Sequence, residues 1–344
     1  MTNSHTVHVL FQFIVPFEKV WRDRQGSGLA DMAAFSGRLK AAADDYISDR
    51  VFNIRLLDES TLETEDLDWK PSLPPGVKFK MRFLLLESTV NIDLQKLLEN
   101  TFPDSPKGSE FSGLEEVGIG DLSTVLEKFT GDLEIATTIA KPGSLDPREV
   151  FLYVDRKLVE RIPRRSSDFN LVVDHAAEIG WPKLREVNIE QAWQWLSKVP
   201  GLETGVPQGS VGRAISALSH VIKGDFDVVN LMWCMIGIEA LYLKGKQGIS
   251  EQLFEKTQAL LGPVHEHKRA FRGLYEYRSR FVHGDLDTPL AYTPYDATKE
   301  YEEFYDETHD TMLRANSLLL ATLQKMVELD IYSLDFRYSL EEKD

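Results

Sequence analysis

Two side chains in this sequence, five positions apart, can together cleave a phosphodiester without a metal ion. They are Arg278 and His283, in the run Leu274-Tyr275-Glu276-Tyr277-Arg278-Ser279-Arg280-Phe281-Val282-His283-Gly284-Asp285. A histidine moves protons near neutral pH, and an arginine bears the charge that builds on phosphorus. Spacing alone does not single this pair out. Arg213 and His220 form a second one, seven positions apart.

Positioning such a pair requires helices, and the C-terminal part of the chain has the pattern for them. Helices are predicted over 210–222, 228–243, 250–261, 264–282 and 297–329, after a Pro/Gly-rich linker at 200–209. Ser250 is placed to cap the third helix, and Gly262-Pro263 to end it. At ~100° per residue, Arg278 and His283 lie about 140° apart on an ideal helix. They share no stripe, and both border one groove only if a second subunit supplies the opposite wall. His283 falls in the last turn before Gly284, a helix stop signal. A helix C-terminus favours the imidazolium by ~0.3–1 kcal/mol when exposed. Read from the residues alone, a structural Arg278 and a helix-capping His283 are the better explanation of the run.

The surroundings of the pair are similar to the Apea-like branch of the HEPN domains. The likeness covers roughly the C-terminal two-fifths of the chain and runs through three blocks in order. The first is Gly212-Arg213-Ala214-Ile215-Ser216-Ala217-Leu218-Ser219-His220. The second is Asn230-Leu231-Met232-Trp233-Cys234-Met235-Ile236-Gly237-Ile238-Glu239-Ala240-Leu241-Tyr242-Leu243. The third, from Leu274 to Gly284, carries the Arg-x4-6-His signature. The resemblance implies an all-α helical bundle that pairs as a homodimer and a metal-independent endoribonuclease. It also implies a role in prokaryotic anti-phage defence, stopping growth by RNA cleavage. The catalytic set is then Arg278, His283 and Ser279, the last at the position that carries a polar residue in active members.

Other residues fall around that set. Glu239 stands in an otherwise apolar helix and needs a partner, for which Arg278, Arg280 and Arg213 are the candidates. A pair fixing helix register serves Glu239 equally well. Tyr275 and Tyr277 stack on a base or fill the core. Lys268, Arg269, Arg272, Arg278 and Arg280 make a basic cluster beside the signature, where RNA would need it. The rival reading is a non-catalytic module for dimerisation, nucleotide binding or partner binding. His265-x-His267 lacks companions for a metal site, and no cofactor is called for.

Net charge of -16 over 344 residues excludes general attraction to a polyanion, so an RNA site must be local. The one cysteine, Cys234, excludes an internal disulfide and reads as a core thiol in a reducing compartment. Residues 1–6 lack a basic leader, and the apolar stretch 228–243 is too short for a membrane span and interrupted by Asn230 and Glu239. The chain reads as cytoplasmic, with no membrane contact.

The expected fold class is α+β: a mixed α/β domain at 1–199, the linker at 200–209, the helical bundle at 210–335 and a tail at 336–344. Alternation predicts a strand over 7–15, apolar on both faces, and another over 77–86 with Lys78, Lys80 and Arg82 facing water. A helix is expected over 29–46, strands over 133–139 and 150–154, and loops at 71–76, 103–108 and 141–147. Gly118-Ile119-Gly120 reads as a turn. Arg156, Lys157, Arg161, Arg164 and Arg165 read as a solvated basic face, and 300–310 as an acidic one. The N-terminal domain carries no catalytic motif and is assigned to sensing a trigger or restraining the nuclease.

Overall fold

The computed structural model describes residues 2–35, 37–39, 46–48, 50–67, 80–101, 103, 113–164, 168–224, 227–245, 248–266, 268–290 and 298–337. In chain order the elements are β1 (Thr2–Ile14), α1 (Lys19–Ala34), β2 (Arg38–Leu39), β3 (Arg50–Val51), β4 (Asn53–Leu57), α2 (Glu59–Leu62), β5 (Met81–Asp93), α3 (Leu94–Thr101), α4 (Leu114–Ala140), β6 (Glu149–Val154) and β7 (Lys157–Pro163). They continue as α5 (Phe169–Ile179), α6 (Ile189–Leu196), α7 (Gly209–Lys223), α8 (Val228–Tyr242), α9 (Ile249–Leu261), α10 (Lys268–His283) and α11 (Lys299–Leu329). The chain is α+β, with an antiparallel sheet region followed by a mostly helical part. Among the described residues, no helix is long and apolar enough to cross a membrane.

In the first unit, β1 is the middle of a five-stranded antiparallel sheet, order β4-β5-β1-β6-β7. A central strand covered on both sides needs two apolar faces. Val7, Val9, Phe11 and Phe13 are buried on one, and Leu10 with Gln12 on the other. The second strand differs from expectation. It starts at Met81, with 77–79 outside the described residues, and Leu84 and Leu86 bury the face expected to meet water. Arg82 is half-buried and donates to Gln25 Oε1.

Other expectations for this unit fail for identifiable reasons. The helix expected over 29–46 is instead α1, which ends at Ala34; Phe35 is extended, and 40–45 lie outside the described residues. The first half of α1 carries Lys19, Arg22, Asp23 and Arg24 and buries only Gln25, so no apolar stripe announces it. The strand expected over 133–139 and the turn at Gly118-Ile119-Gly120 both lie inside α4. Leu133 to Ala140 is buried on every side, which erases the helical period. Gly118 permits close packing: a Cβ there would come within 3.2 Å of Ile92 and Leu97. The basic run at 156–165 meets water as expected at Arg156, Lys157 and Arg161, which are exposed, while Arg164 is largely buried. Arg161 and Arg164 pair with the buried carboxylates of Glu149 and Glu134, Arg156 pairs with Asp66, and Arg165 lies outside the described residues. Of the expected loops, 141–147 is one, while 71–76 and 104–108 are outside the described residues.

The units do not divide at one cut near 199. The helical unit takes 168–187, 198–201 and 206–344, while 188–197 with α6 packs in the sheet unit. Segment 168–187 belongs to the helices because α5 lies on α11. Trp181 also meets Phe271 edge-on at 4.5 Å and donates to the Gly262 carbonyl at 3.0 Å. Residues 198–208 form a tight turn closed by Gln208 N–H to Pro200 O at 2.7 Å. The five helices expected after it are α7 to α11, each within a few residues of its expected bounds. Ser250 is not the cap of α9: Gly248 holds that place, and Gly262 ends the helix as expected.

Two glycines of the helical unit predict opposite effects. Around Gly237 a Cβ would meet Leu319 at 3.1 Å and Ala217 at 3.2 Å, so Gly237→Val overpacks the meeting of α7, α8 and α11. It should cost about 1–3 kcal/mol. Gly273, inside α10, has nothing within 4 Å, and Gly273→Ala should gain about 0.5–1 kcal/mol. Guanidinium unfolding of both variants checks the contrast.

Candidate active site

The site is assembled from α8 and α10. On α10, Phe271, Leu274 and Tyr277 face the core, and the Tyr277 hydroxyl bonds to the Thr308 hydroxyl of α11. Burial raises the Tyr277 phenol pKa, and the Thr308 bond lowers it. Tyr277 is therefore core, while Tyr275 is half-exposed. The Arg278 guanidinium lies 5.9 Å from the Tyr275 ring centre.

Arg278 and Glu239 meet. Nε approaches Glu239 Oε1 at 3.5 Å, with each side chain 22% exposed. Both atoms are hidden from water, yet neither makes a hydrogen bond. The expectation that Glu239 pairs with one of three arginines is met by Arg278 alone. Arg280 instead pairs with Glu307 at 3.3 Å, and Arg213 is exposed on α7. Burial pushes the Glu239 carboxyl above its usual range, and the Arg278 charge pulls it part of the way back. A planar guanidinium held by one long ion pair and a ring keeps N–H donors for an incoming phosphate oxygen.

His283 ends α10 and is exposed. Gly284 follows at φ 77°, and two bonds close the helix: Gly284 N–H to Phe281 O at 3.3 Å, and Asp285 N–H to Arg280 O at 2.8 Å. This paired closure is the Schellman arrangement, and it holds the histidine backbone in place. Within one chain the helix turns Arg278 towards α8 and His283 to solvent. Ser279, next to the arginine, is half-buried.

The expected basic cluster is largely neutralised. Arg272 pairs with Glu251 at 3.2 Å and lies 4.4 Å over the Phe254 ring. Lys268 and Arg269 are exposed at the start of α10, without an ion pair to any described residue. His265 is exposed, His267 lies outside the described residues, and no cluster fit for a metal occurs among the described residues. Cys234 is buried, and burial raises its thiol pKa.

One contact was not anticipated. The His220 ring of α7 stacks on Trp233 of α8 with centroids 3.9 Å apart and planes 9° from parallel. The sequence signal existed in the α8 wheel, where Val229, Trp233 and Ile236 share a stripe, but Trp233 reads as core beside Cys234. Compared with protein-family models, with curated proteins and with solved structures, the chain gives no match.

The raised Glu239 carboxyl has a signed consequence. Its pKa is higher folded than unfolded, so its protonated form adds stability that is complete below the ordinary value of 4.5. That contribution is lost as pH rises through the folded pKa. Glu239→Gln keeps the neutral shape, so its stability relative to wild type should rise as pH is raised from 4.5 towards neutrality. Urea unfolding of both proteins across that range measures it; parallel pH profiles would remove Glu239 from the account.

Proposed function

We propose that this chain is a metal-independent endoribonuclease of the HEPN kind, with α7 to α11 as its Apea-like bundle. It acts as a cytoplasmic homodimer in prokaryotic anti-phage defence, with the sheet unit sensing the trigger or restraining the nuclease. The observation that carries this reading is the half-buried, incompletely satisfied Arg278 beside Glu239, on the helix that ends in an exposed, firmly capped His283.

In this chemistry the 2′-hydroxyl oxygen attacks phosphorus while the bond to the 5′-oxygen breaks. A base accepts the 2′-hydroxyl proton, and a protonated histidine donates one to the leaving 5′-oxygen. Arg278 stabilises the charge on the phosphoryl oxygens. The products are a 2′,3′-cyclic phosphate and a 5′-hydroxyl. Because Arg278 and His283 diverge on one helix, the scheme uses two copies of α10, each supplying part of the groove. Ser279 and Tyr275 flank the arginine, Arg280 lies beyond them, and Lys268, Arg269 and Arg272 extend the positive edge.

A second reading has its own support. Arg272, Arg278 and Arg280 each face a carboxylate, and the chain carries a net charge of -16. These suit a non-catalytic module that dimerises or binds a nucleotide or partner.

Purified protein incubated with total RNA in EDTA separates the two. Arg278→Ala and His283→Ala should each lower cleavage by about 10²-fold or more while staying folded. Fragments should end in a cyclic phosphate and begin with a 5′-hydroxyl. Cleavage unchanged in both variants would place the chemistry elsewhere, and a wild type inert on RNA favours the module.

A further inference from the structure

The outer face of α8 is apolar where a soluble helix is usually polar. Val229 is 51% and Ile236 39% exposed, with Met232, Trp233 and Ala240 half-buried beside them. At ~100° per residue, Val229, Trp233, Ile236 and Ala240 fall within about 60° of one another. Trp233 borders this stripe on the α7 side, where His220 stacks on it. Glu239, with Arg278, borders it on the α10 side. His220 and Arg278 therefore stand on opposite borders of one face, about a helix width apart, on the order of 10–12 Å.

The α7 border is the less neutralised of the two. Arg213, His220 and Lys223 are all exposed, on one side of α7 at helical spacing. None of the three forms an ion pair with a described residue, whereas Arg272, Arg278 and Arg280 each do. A helix C-terminus accounts for basic residues at His220 and Lys223. It does not account for Arg213, two turns nearer the N-terminus. An exposed ring stacked on a second ring, flanked by uncommitted cations and an apolar floor, suits a polyanion with flat bases. Stacking is indifferent to base identity, and the cations track the backbone.

We infer that the outer face of α8 is a platform for single-stranded RNA. A base stacks on the outer side of the His220–Trp233 pair, Arg213 and Lys223 hold phosphates, and the strand crosses the Ile236 stripe towards Arg278. The inference rests on Arg278 being the phosphate-binding residue of the nuclease, and it assigns that site a substrate path.

The test measures binding of a short fluorescein-labelled oligouridine in EDTA, by polarisation, alongside cleavage of total RNA. His220→Ala should raise Kd about tenfold. Arg213→Ala and Lys223→Ala should each lower the salt slope of log K by about 0.7. Melting temperature and solution mass should stay as in wild type. Unchanged affinity and slope in all three variants would overturn the platform, even if Arg278→Ala abolished cleavage and so upheld the nuclease. Loss of binding in the α7 variants, with cleavage indifferent to Arg278→Ala, would keep an RNA-binding platform, overturn the path towards Arg278 and place the chemistry elsewhere. Variants that turn a dimer into a monomer would show that a second copy covers this face, and would overturn the inference. A wild type that does not bind the oligomer would overturn it too.

Discussion

A long helix buried on nearly every side has to satisfy its polar residues at fixed places, and α11 is such a helix. From Thr311 to Val327 it is almost wholly enclosed, and three of its polar side chains reach different parts of the unit. Asn316 donates to Asn230 near the start of α8, at 3.1 Å. Thr322 meets the Tyr242 hydroxyl at the end of α8, at 2.7 Å. Gln324 accepts from the Arg185 backbone at 2.9 Å. A slide of α8 along α11 would orphan two of these bonds, each in a low-dielectric interior where an unmade bond is costly. Apolar packing brings these helices together; the polar contacts set how far along they meet. Glu239 is placed by that register. Arg278 is placed by a second tie, from Tyr277 to Thr308.

The helical unit was legible because α7, α9, α10 and the first third of α11 have distinct wet and dry sides. The sheet unit was half legible. Alternation marked β1, but the end of α4 is dry all round, and residues such as Leu133, Ile135 and Ile139 then read as a strand. The site shows the same division. A carboxylate in the apolar α8 demanded a partner, and chain order brought it to Arg278. Sequence could not show that Arg272 and Arg280 would be met by Glu251 and Glu307, because those pairings arise from packing of helices distant along the chain. Nor could it show that Trp233 would stay partly outside the core, since that depends on how closely α7 approaches α8.

Charge is distributed with a consequence for any anionic ligand. In a chain of net charge -16, many described cations already face a carboxylate, some of them buried, as at Arg164 and Glu134. Attraction to a polyanion then depends on a few uncommitted groups, and its salt dependence is correspondingly shallow.

The interleaved course of the chain bears on inheritance. The helical unit owns 168–187, including α5, Trp181 and Arg185, although the sheet unit claims α6 just after them. Recombination that joined a foreign leading domain at the Pro/Gly-rich turn near 200 would leave Gly262 and Gln324 without the partners that Trp181 and Arg185 supply. A crossover before Asp168 would carry those partners along. The smallest stretch that can move between genes with its interior intact is thus longer than its run of bundle helices, and it brings α6 as a passenger from the other unit.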